Sequence, residues 1–369
     1  MTFGTFFVPG PTEVRPEILQ AMTQPMISHR GSAFRSLFER CQTGLRTVFC
    51  TKRPVFIATC SATGLMEAAI RNAPTGSVLA CVNGAFSDRF SLIAEKCGRA
   101  SERYEVPWGE AHDPATVAAR VSAGHHAVVA VVHSETSTGA LNDVRAISDA
   151  AHRAGAVCVI DSVSGIRGAE LRFDDWGLDF VFTGSQKALA LPPGLAFGVA
   201  TERFLSSGDR TARGAYFDLA EFASGAAKGE APNTPAISLY YALAAQLECI
   251  LEEGMEAAWK RHGLMAAMTQ NWTQRCTVHG IPMSPFAVLG HRSPTVTAIK
   301  LPDGVSGEAV VKAVSAAGYT LGAGYGKLKD TTIRIGHMGD HTAETLDPCL
   351  TATAEAIQKL IGKRNLPSV

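Results

Sequence analysis

The chain has 369 residues, enough for one large core and a smaller satellite, and its 34 Lys and Arg balance 34 Asp and Glu to a formal net charge of zero. Zero net charge gives no steering toward nucleic acid or an anionic membrane, 46% hydrophobic residues argue against disorder, and no apolar run reaches the roughly 18 residues of a membrane span. Nine cysteines, odd in number and without the short spacing of zinc or redox pairs, predict a reducing compartment and no metal; with no leader or anchor signal in the sequence, the expected location is the cytoplasm.

Residues 1–15 contain Pro9, Gly10 and Pro11 and run into Pro16, so they read as an extended arm rather than a strand within a sheet. From 16 to 250 short apolar runs alternate with amphipathic stretches. The runs at 55–58, 78–82, 127–133, 156–161 and 180–183 are β-branched or aromatic and too continuous for surface strands, which predicts buried parallel strands. Helical stretches at 65–72, 88–97, 114–122 and 144–154 lie between them, with the spacing of repeated βαβ units. A long breaker-poor stretch from Leu239 to about Gly263 reads as a helix bridging two domains. The remainder, 251–369, has strand candidates at 295–301 and 331–335 with helices around them, which suggests a small α+β domain. The expected fold is therefore α/β: a large domain over 16–250 with a mostly parallel sheet flanked by helices, plus the small C-terminal domain.

Three features carry chemistry. Lys187 is the only charged residue between Asp179 and Glu202. Placed after a buried strand it reads either as an amine whose charged form is disfavoured by desolvation, as a nucleophile requires, or as a snorkelling loop lysine. The segment Thr59-Cys60-Ser61-Ala62-Thr63-Gly64 opens a helix, so its hydroxyls and free N–H groups read as a phosphate site or as an ordinary N-cap. Asp161 closes a buried strand at the carboxyl end, where open α/β sheets hold ligands, or else caps the following Ser162 and Ser164. Together they describe one ligand with an aldehyde, a phosphate and a ring nitrogen needing a carboxylate, which is pyridoxal 5'-phosphate. Lys187 is then the natural general base.

The same residues resemble the class V aminotransferases of fold-type I, and within them the alanine:glyoxylate and serine:glyoxylate (serine:pyruvate) group. The resemblance rests on motifs in family order: Pro9-Gly10-Pro11; Ser61-Ala62-Thr63-Gly64; Asn83-Gly84-Ala85-Phe86; 133–139 (HSETSTG); Asp161-Ser162-Val163; Gly184-Ser185-Gln186-Lys187-Ala188 with Pro192-Pro193-Gly194; and 331–339 (TTIRIGHMG). It implies that Lys187 forms the Schiff base, that Asp161 and Val163 lie at the pyridine nitrogen and that Phe86 stacks on the ring. It further implies Thr136 near the phenolic side and Ser61, Ala62, Thr63 and Gln186 about the phosphate. Gly10 belongs to the substrate loop, and Arg334 matches the arginine that clamps the substrate α-carboxylate. The stretch 232–238 resembles one that crosses a homodimer interface to the neighbouring phosphate, through Asn233 or Thr234. The implied reaction moves an amino group from serine or alanine to glyoxylate or pyruvate. Alternatives are a 2-aminoethylphosphonate or ureidoglycine aminotransferase, or a non-transaminating class V enzyme; a cysteine desulfurase is disfavoured because no cysteine lies between Cys276 and Cys349. Residues near His29 and Arg30, and Tyr325, are candidates for reading the donor side chain.

Overall fold

A strand that is apolar on both faces is stable only where helices cover both sides of its sheet. The structure, a computed structural model that describes residues 3–208 and 211–362, meets that requirement with one central sheet. Its seven strands lie in the order Phe56–Ala58, Ala196–Ala200, Phe180–Gly184, Val157–Asp161, Val128–Val132, Val78–Val82 and Ser101–Glu105. Only Ala196–Ala200 runs against the others. Side-chain alternation divides the core: Val129 and Val131 pack into one layer with the helices Ser32–Phe49 and Ile237–Glu253, while Val128 and Ala130 pack into the other with the helix Ala62–Asn72.

The five predicted strands of the large domain are all present, as are its four predicted helices. Two strands of the central sheet escaped the sequence reading: Ser101–Glu105 is a polar edge strand, and Ala196–Ala200 hides in the apolar run that follows Pro193. The bridging helix is not continuous. It breaks at Gly254, which takes φ +77°, into Ile237–Glu253 and Met255–Val278. The arm is also not wholly outside a sheet, because Phe6 and Phe7, before the first proline, pair in parallel with Thr320 and Leu321.

That pairing joins the arm to a second sheet, ordered Phe6–Phe7, Thr320–Ala323, Thr332–Gly336, Val296–Lys300 and Ser284–Pro285. Phe7 lies in a separate core with Met265, Trp272, Ile333 and Ile335. Thr320–Ala323 is short and glycine-containing, and was not anticipated. No helix among the described residues is long and apolar enough to cross a membrane.

The helices Ser32–Phe49 and Ile237–Glu253 meet closely because Gly44 is buried between them: a Cβ there would sit 2.7 Å from Leu247 Cβ. Helix propensity alone makes Gly44→Ala stabilising by about 1 kcal/mol, whereas overpacking costs about 1–3 kcal/mol. We expect packing to win, with a net loss of about 1 kcal/mol measured by urea unfolding; a raised midpoint would show that the two helices separate freely.

Candidate active site

Because four neighbouring strands run in parallel, their carboxyl ends deliver functional residues to one edge of the sheet. A cavity of about 330 Å³ lies there. Gly10, Ser61, Ala62, Thr63, Phe86, Thr136, Asp161, Val163, Gln186 and Lys187, expected as site residues, all line it. Arg334 does not line the cavity but stands beside it: Nη1 is 3.4 Å from the Thr136 carbonyl, Nε donates to Ala323 O at 2.9 Å, and the guanidinium lies 5.4 Å from the ring of Tyr325, which does line the cavity. Asn233 and Thr234 are exposed and outside it. Their segment is nevertheless close, since Ala236 N–H reaches Thr59 Oγ1 at 3.3 Å. His29 and Arg30 are not brought to the cavity; Arg30 pairs with Glu230 at 3.0 Å.

Lys187 is only 7% exposed, which excludes the snorkelling reading. It follows the strand Phe180–Gly184 on a turn closed by Ala190 N–H to Lys187 O at 2.8 Å, with Ala190 in the left-handed region at φ 52°. Its ammonium donates to Pro9 O. Burial, reinforced by the nearby Arg334 charge, pushes the amine pKa down to about 8, against the opposing pull of Asp161 and Glu135.

Asp161 ends its strand with 4% exposure. Burial pushes its pKa up to about 7, even though Val163 N–H donates to Oδ1 at 2.8 Å. Among the described residues Oδ2 has no hydrogen-bond partner and no cation lies within ion-pair distance, so this buried carboxylate faces the cavity awaiting a positive or hydrogen-bearing group. At the helix Ala62–Asn72 the N-cap residue is Ser61, yet its side chain makes no capping bond. The N-cap reading therefore fails. Ser61 and Thr63 present exposed hydroxyls at a helix N-terminus, where the dipole favours an anion, and Gln186 packs beside Ala62 over Gly184.

Glu135 is the residue that sequence reasoning missed within its own motif. Fully buried, its carboxylate accepts from Phe86 N–H at 3.3 Å, Ser87 N–H at 2.9 Å, Ser87 Oγ at 3.0 Å and Ser137 N–H at 3.1 Å. It thereby caps the helix Ala85–Lys96 and fixes Phe86, whose ring centre lies 5.9 Å from Lys187 Nζ across the cavity. A Cβ on Gly84 would fall 2.3 Å from Glu135 Cγ, so only glycine admits the carboxylate. Arg89 was also missed, although its spacing of three from Phe86 on one helix was a signal; it lines the cavity with Phe86.

Residues 6–326 match the aminotransferase class-V family. The L-aspartate–glyoxylate aminotransferase of Paracoccus denitrificans is 33% identical, the match covering 96% of this chain and 91% of that one. The serine–glyoxylate aminotransferase of Methylorubrum extorquens is also 33% identical, over 90% of this chain and 86% of its own. Among solved structures, an aspartate aminotransferase from Thermus thermophilus superposes with a TM-score of 0.87 at 34% identity, covering 96% of this chain and 99% of that chain.

The buried amine has a thermodynamic consequence. A lysine whose pKa falls from 10.5 to about 8 on folding is destabilising while protonated in both states, that is, below about pH 8, and neutral in its effect above 10.5. The penalty is up to about 3 kcal/mol, offset by about 1 kcal/mol for the bond to Pro9. In the cofactor-free protein Lys187→Met should therefore raise stability by about 2 kcal/mol at pH 7, the gain fading as pH rises through 8 to 10.5. Denaturant unfolding at both ends of that range checks it, and an equal gain at each pH would remove ionisation as the cause.

Proposed function

The chain belongs to the class-V aminotransferases, and from that premise we propose that it transfers the amino group of a small L-amino acid to glyoxylate or pyruvate, using pyridoxal 5'-phosphate held in the cavity about Lys187. The observation that carries the reading is the coincidence, in one cavity, of three groups complementary to that cofactor. Lys187 supplies an amine for an aldehyde; the uncommitted Ser61 hydroxyl and the helix N-terminus suit a phosphate; Asp161 Oδ2 suits a protonated ring nitrogen. Thr63, Ala62 and Gln186 complete the phosphate end, Phe86 the ring face, and Val163 and Thr136 the ring edges. When bound, the cofactor supplies an electron sink for the carbon that loses its proton.

The chain's own groups do the rest. Asp161 keeps positive charge on the ring nitrogen. Arg334, without an acidic partner among the described residues, grips the α-carboxylate of donor or acceptor and orients the Cα–H. Lys187 Nζ, whose lowered pKa makes the neutral amine accessible, would take the proton from that carbon and return it two atoms along, the 1,3-shift that amino transfer requires. Gly10 lets the arm close over the amine: a Cβ there would lie 2.7 Å from Nζ.

Exposed and outside their own chain's cavity, Asn233 or Thr234 is assigned to the phosphate of a second copy in a homodimer.

Protein reconstituted with pyridoxal 5'-phosphate should absorb between about 300 and 500 nm, change on adding L-serine, L-alanine or L-aspartate, and recover on adding glyoxylate or pyruvate. A spectrum that no amino donor alters would overturn the proposal. Arg334→Ala should lower kcat/KM for donor and acceptor alike by about 10–100-fold, the loss of a charged hydrogen-bonded pair; an equal loss with an amine lacking a carboxylate would refute the clamp.

A further inference from the structure

Two guanidinium groups border the cavity, and the reaction just described uses one. Arg89, on the helix Ala85–Lys96, stacks 4.9 Å from the centre of the Phe86 ring, and its Nη2 donates to the Tyr325 hydroxyl at 3.1 Å. It has no other hydrogen bond and no acidic partner among the described residues, so most of its five N–H donors are uncommitted. The neighbouring acid, Asp88, is taken by Arg103 at 2.6 Å. Tyr325 bridges the two cations: its hydroxyl accepts from Arg89 while its ring lies 5.4 Å from the Arg334 guanidinium and stacks on Phe86 at 5.2 Å.

A donor with a single carboxylate neutralises Arg334 and leaves Arg89 a partly desolvated, unpaired cation in the cavity wall, an unfavourable arrangement. A donor with a second carboxylate on a short side chain satisfies both, through the planar, bidentate geometry that arginine offers a carboxylate. Resting on the proposed transamination, we propose that Arg89 is a specificity-determining residue that binds the side-chain carboxylate of an amino dicarboxylic acid of aspartate length, so that the site accepts such donors as well as small neutral ones. Tyr325 is the positioning residue that aims Arg89, and its place before the left-handed Gly326 holds it at the mouth.

The test compares L-aspartate with L-alanine in the cofactor-loaded enzyme, glyoxylate as acceptor. In Arg89→Gln the ratio of kcat/KM for aspartate to that for alanine should fall about 10–100-fold, in Arg89→Lys less, and in Tyr325→Phe about 3–10-fold. A readout independent of turnover is calorimetric binding of succinate against propionate: the wild-type preference for the dicarboxylate should vanish in Arg89→Gln. An equal fall for both donors would mean that Arg89 acts only by propping Phe86 and would overturn the inference, as would a wild-type enzyme that turns over alanine but not aspartate. Failure of every donor to alter the cofactor spectrum would overturn the transamination reading instead, and the succinate measurement would still decide whether Arg89 reads a carboxylate.

Discussion

An amine with no carboxylate in ion-pair reach among the described residues, sealed under a proline-glycine arm, is the constraint around which the site is organised. Lys187 is held at both ends by residues about 175 positions away: Pro9 O accepts from its ammonium, while Thr12 Oγ1 donates to its carbonyl at 2.9 Å. Thr12 N–H also donates to Gln186 O at 3.0 Å. The arm can lie so close only because residue 10 lacks a side chain, in a left-handed conformation at φ 107° that glycine adopts without strain. Its approach is in turn set by Glu13, whose carboxylate gathers the N–H groups of Gly4, Thr5 and Phe6 at 2.9–3.2 Å and so shapes the arm for pairing with the second sheet.

Burial without neutralisation explains the charge distribution around that amine. Glu135 and Asp161 are both buried carboxylates near Lys187, yet they are treated differently. Glu135 is saturated by backbone and hydroxyl donors at a helix N-terminus, which makes it a structural anion that orients Phe86. Asp161 has a single donor and an open oxygen, which leaves its protonation responsive to whatever enters the cavity. One carboxylate is consumed in building the site and the other is left to meet a ligand.

Much of this was legible in the sequence because the features are local. Buried strands declare themselves as short β-branched runs, and Lys187, Asp161 and Ser61 are conspicuous because each follows such a run. What stayed hidden depends on distant partners. Phe6–Phe7 becomes a strand only because Thr320–Ala323 offers an edge, and Ser101–Glu105 is polar because an edge strand needs only one buried face. Whether Ser61 was a cap or an open hydroxyl turned on a hydrogen bond that no motif encodes. The role of Arg89 required knowing that Tyr325, 236 positions later, arrives beside it.

The relative placement of Lys187 and Arg334 depends on a buried ionic network that touches neither side chain. Asp340, four residues after the strand bearing Arg334, receives Arg15 at 2.7 Å, Arg167 at 2.9 Å and Gln246 at 3.0 Å. Burial pushes its pKa up, but Arg167 and Arg15 outweigh that and hold it below the ordinary value. Arg167 also donates to Ala188 O at 2.8 Å, immediately beyond Lys187, and pairs with Glu253, which Arg261 engages in turn. Such a network contributes little net stability once desolvation is counted. Its directional bonds instead permit one arrangement of the arm, the Lys187 turn and the strand end that follows Arg334, which an apolar contact of equal area would leave free to slide. The Lys187 amine and the Arg334 guanidinium come from separate sheets, and their mutual distance is fixed by charges that touch neither.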